Sequence, residues 1–139
     1  MVAYSFKRRF VDPIRSGLGH YEHIDGMIPP PKTQTIRAIG KRRHAKPGDT
    51  LQLYHGMRSR DCFLIGAARC LRVDDVAIDV GERAITRIEF IDCGDTVSRF
   101  DGFAQRDGFT DAAEMHRFWL DEHGAGMFQG LLIRWEPLR

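Results

Sequence analysis

Cysteine, lysine and long apolar runs are all scarce in this chain of 139 residues. Its 3 cysteines form no Cys-x-x-Cys pair, which predicts free thiols packed in the core of a cytoplasmic protein. We recognise no secretory leader at the start, and no apolar run approaches the length of a membrane span. We therefore expect no membrane partner, and nothing in the sequence points to a cofactor.

Lysine occurs only at positions 7, 32, 41 and 46, so arginine supplies most of the 21 basic residues. Arginine presents a planar fork that matches phosphate and stacks on bases, which favours RNA or a nucleotide as partner. The net charge of +2 does not by itself argue for nucleic acid. His20 and His23 have no third ligand in view, so we predict no metal site.

Short apolar stretches separated by turn signals predict an α+β fold that is mainly β, in a single domain over residues 1–139. An ordered loop is inserted at about 19–31. A first helix is expected from Phe10 to Ser16, ended by Gly17, and a second is capped at Thr110 or Asp111 and ended by Gly124. Strands are expected over 3–6, 32–38, 51–55, 63–73, 84–93 and 130–136. This pattern predicts a small, closed or nearly closed barrel flanked by two or so helices.

The stretch Lys32-Thr33-Gln34-Thr35-Ile36-Arg37-Ala38 is polar where a small domain would normally place an apolar strand. Three prolines precede it, and a basic run over 41–46 with a Pro-Gly-Asp turn follows it. In one regular strand, Lys32 and Thr35 would point to opposite faces. For the two to cooperate, Lys32 must lie in the turn before the strand. We predict here a cleft for an anionic ligand.

These residue types also suggest a reaction. Thr35 is a poor nucleophile unless a base takes its proton, and Lys32 is such a base only if its pKa falls toward neutrality. Asp107, directly before the capped helix, is the candidate acid, and Asp101 is its rival. Without catalysis, the same side chains would hold a phosphate or make structural hydrogen bonds.

Several segments together resemble the ASCH domain family of the PUA-like superfamily, over nearly the whole chain. They are Lys32-Thr33-x-Thr35-Ile36-Arg37, Lys46-Pro47-Gly48-Asp49-Thr50-Leu51 and Ala104-x-x-Asp107-Gly108-Phe109-Thr110 before a helix with Phe118-Trp119. The resemblance implies a PUA-like β-barrel with a cleft suited to RNA or a nucleoside. Family members include a small amidohydrolase that deacetylates N-acetylcytidine with a lysine, a threonine and a glutamate. These fall on Lys32, Thr35 and, one methylene shorter, Asp107.

Three functions are therefore considered. In an RNA- or nucleoside-binding ASCH domain, phosphate is held by basic side chains and a base stacks on an aromatic ring. The expected phosphate ligands are Lys32, Arg37, Arg42 and Arg43, and the expected stacking residues are Tyr54 and Phe109. In an amidohydrolase acting on N-acylated cytidine, Thr35 attacks, Lys32 activates it and Asp107 protonates the leaving amine.

The third function is a metal-independent ribonuclease, which needs a base near a ribose hydroxyl. His44 or His55 is the nearest choice for that base. Among enzymes we favour the amidohydrolase, because its three roles fall on three chemically apt residues. A non-catalytic RNA-binding module is the remaining alternative. The sequence does not indicate a protein partner.

Overall fold

A computed structural model describes residues 1–138 as an α+β protein that is mainly β. Three α-helices accompany six strands. The helices are α1 (Val11–Leu18), α2 (Phe100–Arg106) and α3 (Ala112–His123). The strands are β1 (Val2–Phe6), β2 (Gln34–Ala38), β3 (Thr50–His55), β4 (Phe63–Val80), β5 (Ile85–Phe90) and β6 (Gly126–Pro137).

The strands form one mixed sheet in the order β1-β3-β4-β6-β2, with β5 paired to β4. Only β1 and β3 run parallel, and the other pairs are antiparallel. Strand β4 is 18 residues long, so its first part pairs with β3 and its last part with β5, while β6 follows most of its length. Register shifts between Leu53 and Tyr54 and between Cys70 and Arg72 mark bulges, which bend a strand and increase its twist.

The sheet is open, so the predicted closure of a barrel is not seen. Its edge strands β1 and β2 share no backbone ladder within residues 1–138. Side chains span the opening instead. Arg37 donates from Nη2 to the Ser5 carbonyl oxygen at 2.8 Å. His44 donates from Nε2 to the Ala38 carbonyl oxygen at 3.1 Å and accepts at Nδ1 from the Tyr4 hydroxyl at 3.0 Å.

The helices differ in part from the sequence-based expectation. Helix α1 continues through Gly17 and ends at Gly19, whose φ of 78° is the left-handed conformation that glycine adopts readily. Helix α3 begins as predicted, with the Asp111 side chain accepting from the Glu114 backbone N–H, and ends at Gly124. Helix α2 was not predicted, because its seven residues include a glycine and its N-cap residue makes no side-chain hydrogen bond.

Two further expectations are corrected. Strand β4 runs on to Val80 and β6 begins at Gly126, so both are longer than the apolar runs that predicted them. Only Cys70 is a core thiol, since Cys62 and Cys93 are exposed. Over 1–138, no helix has the length and apolarity needed to cross a bilayer.

Candidate functional site

A cavity of about 340 Å³ lies in the opening between the edge strands β1 and β2. Residues of both strands line it, and the last turn of α3 and the start of β6 cover its other side. Its aromatic lining consists of Phe6, Phe10, Phe118, Trp119 and Phe128. Known ligand pockets span about 300–1,000 Å³, so this cavity is suited to a small molecule.

Lys32 and Asp107 form a buried pair at the cavity wall. Their side chains are only 2% and 7% exposed, and Nζ lies 3.6 Å from the Asp107 Oδ1 atom. Nζ also donates to the backbone carbonyl oxygen of Asp107 at 2.6 Å. The ammonium group lies over the Phe10 ring, 4.6 Å from its centroid. The predicted base and acid are therefore brought together.

Burial shifts both members of the pair toward their neutral forms. The pKa of Lys32 is lowered to about 8, chiefly by desolvation and in smaller part by Arg37 and Arg9, while Asp107 opposes the shift. Desolvation also raises the pKa of Asp107, against the opposing effects of Lys32, the Gln34 side chain and Arg37. An amine with a pKa near 8 is partly deprotonated at neutral pH and can accept a proton.

The backbone around Lys32 is fixed by three separate elements. Its N–H donates to the Pro13 carbonyl oxygen of α1 at 2.9 Å, and the Thr33 N–H donates to the Arg106 carbonyl oxygen of α2 at 2.8 Å. The Trp135 N–H of β6 donates to the Thr33 carbonyl oxygen at 3.0 Å. Lys32 thus lies just before β2, as the sequence required for cooperation with Thr35.

Two glycines make room for Lys32. A Cβ atom on Gly17 would lie 2.3 Å from the Lys32 carbonyl oxygen, so only glycine lets α1 approach this backbone. Gly108 has a φ of 97°, and a Cβ atom there would lie 3.0 Å from the Lys32 Cδ atom. Gly17 therefore serves close packing, and it does not end the helix as predicted.

Thr35 and Arg37 line the same cavity from one face of β2. The Arg37 Nε–H donates to the Thr35 Oγ1 atom at 3.1 Å, which leaves the hydroxyl proton available to a base. Thr35 is buried, and the Arg37 guanidinium lies 4.6 Å from the centroid of the Phe6 ring. No direct hydrogen bond joins Thr35 to Lys32 in the described part of the chain.

The other predicted binding residues are placed less favourably. Arg42 is exposed and lies over the Tyr4 ring near Arg37, whereas Arg43 pairs with Asp49 at 3.1 Å. Tyr54 is half-buried on β3 and does not line the cavity. Phe109 is 1% exposed and packs in the core, so its ring offers no face on which a base could stack.

The alternative acid and bases have structural partners. Asp101 accepts from the Ala112 backbone N–H at 2.9 Å and so supports the start of α3. Both ring nitrogens of His44 are engaged in the bridge between β1 and β2. His55 donates from Nδ1 to the Phe6 carbonyl oxygen at 2.9 Å. Neither histidine lines the cavity.

Sequence reasoning missed the far side of the cavity. Glu122 and His123 line it from the end of α3, Gln129 from β6 and Lys7 from the segment after β1. Lys7 and Glu122 form an exposed ion pair at 2.5 Å. These residues are distant in sequence from Lys32, and no local motif marks them. The polarity of the last turn of α3 was the only available signal.

The arrangement combines a hydroxyl, a neutralisable amine, a carboxyl group and a guanidinium in one largely apolar cavity. These groups can transfer protons and activate a nucleophile without a metal. Within residues 1–138, no three His, Cys, Asp or Glu side chains are grouped to hold a metal ion. Comparison with protein families, with curated proteins and with solved structures finds no match to this chain.

Proposed function

We propose that this protein is a small-molecule amidohydrolase that removes an acyl group from an N-acylated cytidine. One observation carries the proposal: Lys32, Thr35 and Asp107 all line the same cavity of about 340 Å³. A cavity of this size suits a nucleoside better than a length of RNA. Its aromatic walls also suit a planar base.

The chemistry follows from the protonation states of the pair. Neutral Lys32 would take the Thr35 hydroxyl proton, through a water or after a small rotation, as Thr35 Oγ1 attacks the amide carbonyl carbon. Protonated Asp107 would then donate to the leaving amine as its C–N bond breaks. Water would hydrolyse the resulting threonine ester, releasing the carboxylic acid and restoring the hydroxyl. Arg37 would orient the Thr35 oxygen throughout.

The sequence resemblance supports the same assignment. We propose that the chain is an ASCH domain with a PUA-like fold, in which side-chain bridges between β1 and β2 replace a closed barrel ladder. Asp107 then stands where the family amidohydrolase has glutamate. Although it is one methylene shorter, its carboxyl group still lies beside Lys32, with Nζ 3.6 Å from Oδ1.

Release of cytidine from N-acetylcytidine tests the proposal. Purified wild-type protein should form cytidine, and Lys32→Ala and Thr35→Ala should each lower the rate by about 100-fold or more, since general bases and nucleophiles contribute at least that much. Chromatography of the products measures the rate directly.

Two matched controls accompany these variants. Thr33→Ala removes a neighbouring hydroxyl that does not line the cavity, and Lys41→Ala removes an exposed lysine. Both should keep the wild-type rate. Absence of turnover by the folded wild-type protein would contradict the proposed amidohydrolase activity. The cavity would then be a binding site for a nucleoside or RNA. Nothing in the cavity favours the ribonuclease, because His44 and His55 lie outside it.

A further inference from the structure

The charged side chains that line the cavity are paired, with one exception. Lys7 pairs with Glu122, and Lys32 pairs with Asp107. Arg37 has no carboxylate within ion-pair distance among residues 1–138, although Asp107 acts on it from farther away. A partly buried charge is costly unless an opposite charge accompanies it. Arg37 is therefore the cation in this cavity that lacks a counter-ion.

The Arg37 guanidinium is held rigidly despite this lack. Its Nε–H donates to the Thr35 hydroxyl oxygen and its Nη2 atom to the Ser5 carbonyl oxygen, at 3.1 Å and 2.8 Å. Its plane lies over the Phe6 and Tyr4 rings. Both polar partners are neutral, so they satisfy donors without neutralising the charge. A fixed guanidinium loses little entropy when it binds a planar or tetrahedral oxyanion.

A second guanidinium lies near the same aromatic ring, outside the cavity lining. Arg42 lies 5.1 Å from the centroid of the Tyr4 ring and Arg37 lies 5.3 Å from it, so one ring carries both cations. Their mutual repulsion lowers the pKa of Arg37, after the larger effect of burial. Arg42 also has no carboxylate partner within residues 1–138, whereas its neighbour Arg43 pairs with Asp49. Arg42 therefore adds positive potential near Arg37, which favours an anion at Arg37.

At the Asp107 end of the cavity, a hydrogen-bond donor is needed instead of an anion. The Asp107 Oδ1 atom is buried and, at 3.6 Å from Lys32 Nζ, is ion-paired but makes no hydrogen bond within the described chain. A buried acceptor without a hydrogen bond is costly. A ligand that carries an N–H or O–H donor at one end and an oxyanion at the other would satisfy both ends of the cavity.

We propose that the ligand of this cavity carries a phosphate monoester, which binds to Arg37 within the positive potential of Arg42, while its base extends toward Asp107. This inference rests on the proposed function for the identity of the base. The substrate class is then an N-acylated nucleotide, in preference to the free nucleoside. The phosphate of a mononucleotide and that of an oligonucleotide end share this chemistry, and the cavity volume favours the mononucleotide.

Binding of inorganic phosphate tests the anion site without any turnover. At constant ionic strength, replacing chloride by phosphate should raise the melting temperature of the wild type and of Arg43→Gln, whose arginine is paired elsewhere. The rise should be lost in Arg37→Gln and reduced in Arg42→Gln. No phosphate-specific rise in the wild type would overturn the proposal, and so would a full rise in a folded Arg37→Gln protein.

If Arg37→Gln does not fold, Arg42→Gln still tests the anion site, because Arg42 is exposed and its replacement should not disturb folding. Unchanged phosphate affinity in Arg42→Gln would overturn the contribution assigned to Arg42. A second experiment compares nucleotide with nucleoside. Calorimetry should show cytidine 5′-monophosphate binding about tenfold or more tightly than cytidine, as expected for charge-assisted hydrogen bonds. Equal affinities would contradict the nucleotide assignment. If phosphate binds but N-acetylcytidine is not hydrolysed, the anion site stands and the proposed reaction fails.

Discussion

Two lysine–carboxylate pairs line the same cavity, and they differ in burial. Lys32 and Asp107 are 2% and 7% exposed, whereas Lys7 and Glu122 are 58% and 36% exposed. In the exposed pair, the hydrogen bond from Lys7 lowers the pKa of Glu122, so the carboxyl group stays ionised. In the buried pair, desolvation raises the pKa of Asp107 and lowers that of Lys32.

The same pair of functional groups therefore serves two purposes. Water stabilises the charges of the exposed pair, which remains a surface contact at the cavity mouth. The buried pair lacks that solvation, so its charged forms are disfavoured relative to those of the exposed pair. Proton transfer that neutralises either side chain is therefore easier in the buried pair. Burial thus distinguishes the pair that we propose to be reactive from the exposed, structural one.

Breaking the buried pair should give the largest effect on stability. Lys32→Met leaves Asp107 without its cation, and we expect a loss of about 3–5 kcal/mol in the free energy of unfolding at pH 7. Asp107→Asn should also destabilise the protein, but the double variant should cost less than the sum of the two. Urea denaturation measures all three. Strictly additive losses would show that the two side chains are not coupled.

Gly17→Ala should give the next largest effect, because it moves Lys32 without changing any charge. Alanine normally stabilises a helix by about 1 kcal/mol relative to glycine. Here the new Cβ atom would meet the Lys32 carbonyl oxygen at 2.3 Å, so we expect net destabilisation of about 1–3 kcal/mol and lower activity. Gly40→Ala, which meets nothing within 4 Å, is the control. A stabilised Gly17→Ala protein would contradict this packing.

Breaking the exposed pair should give the smallest effect. Lys7→Met and Glu122→Gln should each change the urea midpoint far less than Lys32→Met does. Any coupling between Lys7 and Glu122 should vanish when the salt concentration is raised, because surface pairs are screened. A coupling energy between Lys7 and Glu122 as large as that of the buried pair would show that burial does not separate the two pairs.

Much of the cavity wall on the β2 side could be predicted from sequence. The polar residues of 32–38 marked the site, and cooperation between Lys32 and Thr35 required Lys32 to lie in the turn before the strand, with Thr35 and Arg37 sharing a face. Asp107 was found by its position before a well-capped helix. Helix α2, which ends directly before Asp107, was not predicted, because it contains Gly102 and is too short to show a clear helical periodicity.

The remaining parts depend on contacts between residues distant in sequence. Closure of the sheet is decided by whether β1 and β2 approach closely enough to share a ladder, and no local pattern encodes that distance. Glu122, His123 and Gln129 reach the cavity only because α3 and β6 pack beside it. Phe109 looked available for stacking, but tertiary packing against Phe10 and Phe118 buries it.

The low pKa of Lys32 also sets the expected response to pH. Its folded value of about 8 lies below the ordinary 10.5, so the unfolded state binds more protons between these values. Protonation of the buried Lys32 amine therefore costs stability below about pH 8, and this cost disappears as pH rises to about 10.5. The rate of any reaction that uses the neutral amine should fall about tenfold per unit below pH 8.

Nuclear magnetic resonance can measure whether Lys32 is an amine that loses its charge near neutral pH beside Asp107. With only four lysines in the chain, the Cε signals can be assigned by comparing the wild type with Lys32→Met. Following the Lys32 signal against pH should give a midpoint of about 8, and the midpoint should change in Asp107→Asn. A Lys32 midpoint near 10.5, unaffected by Asp107→Asn, would show that the Lys32 pKa is not lowered and does not depend on Asp107.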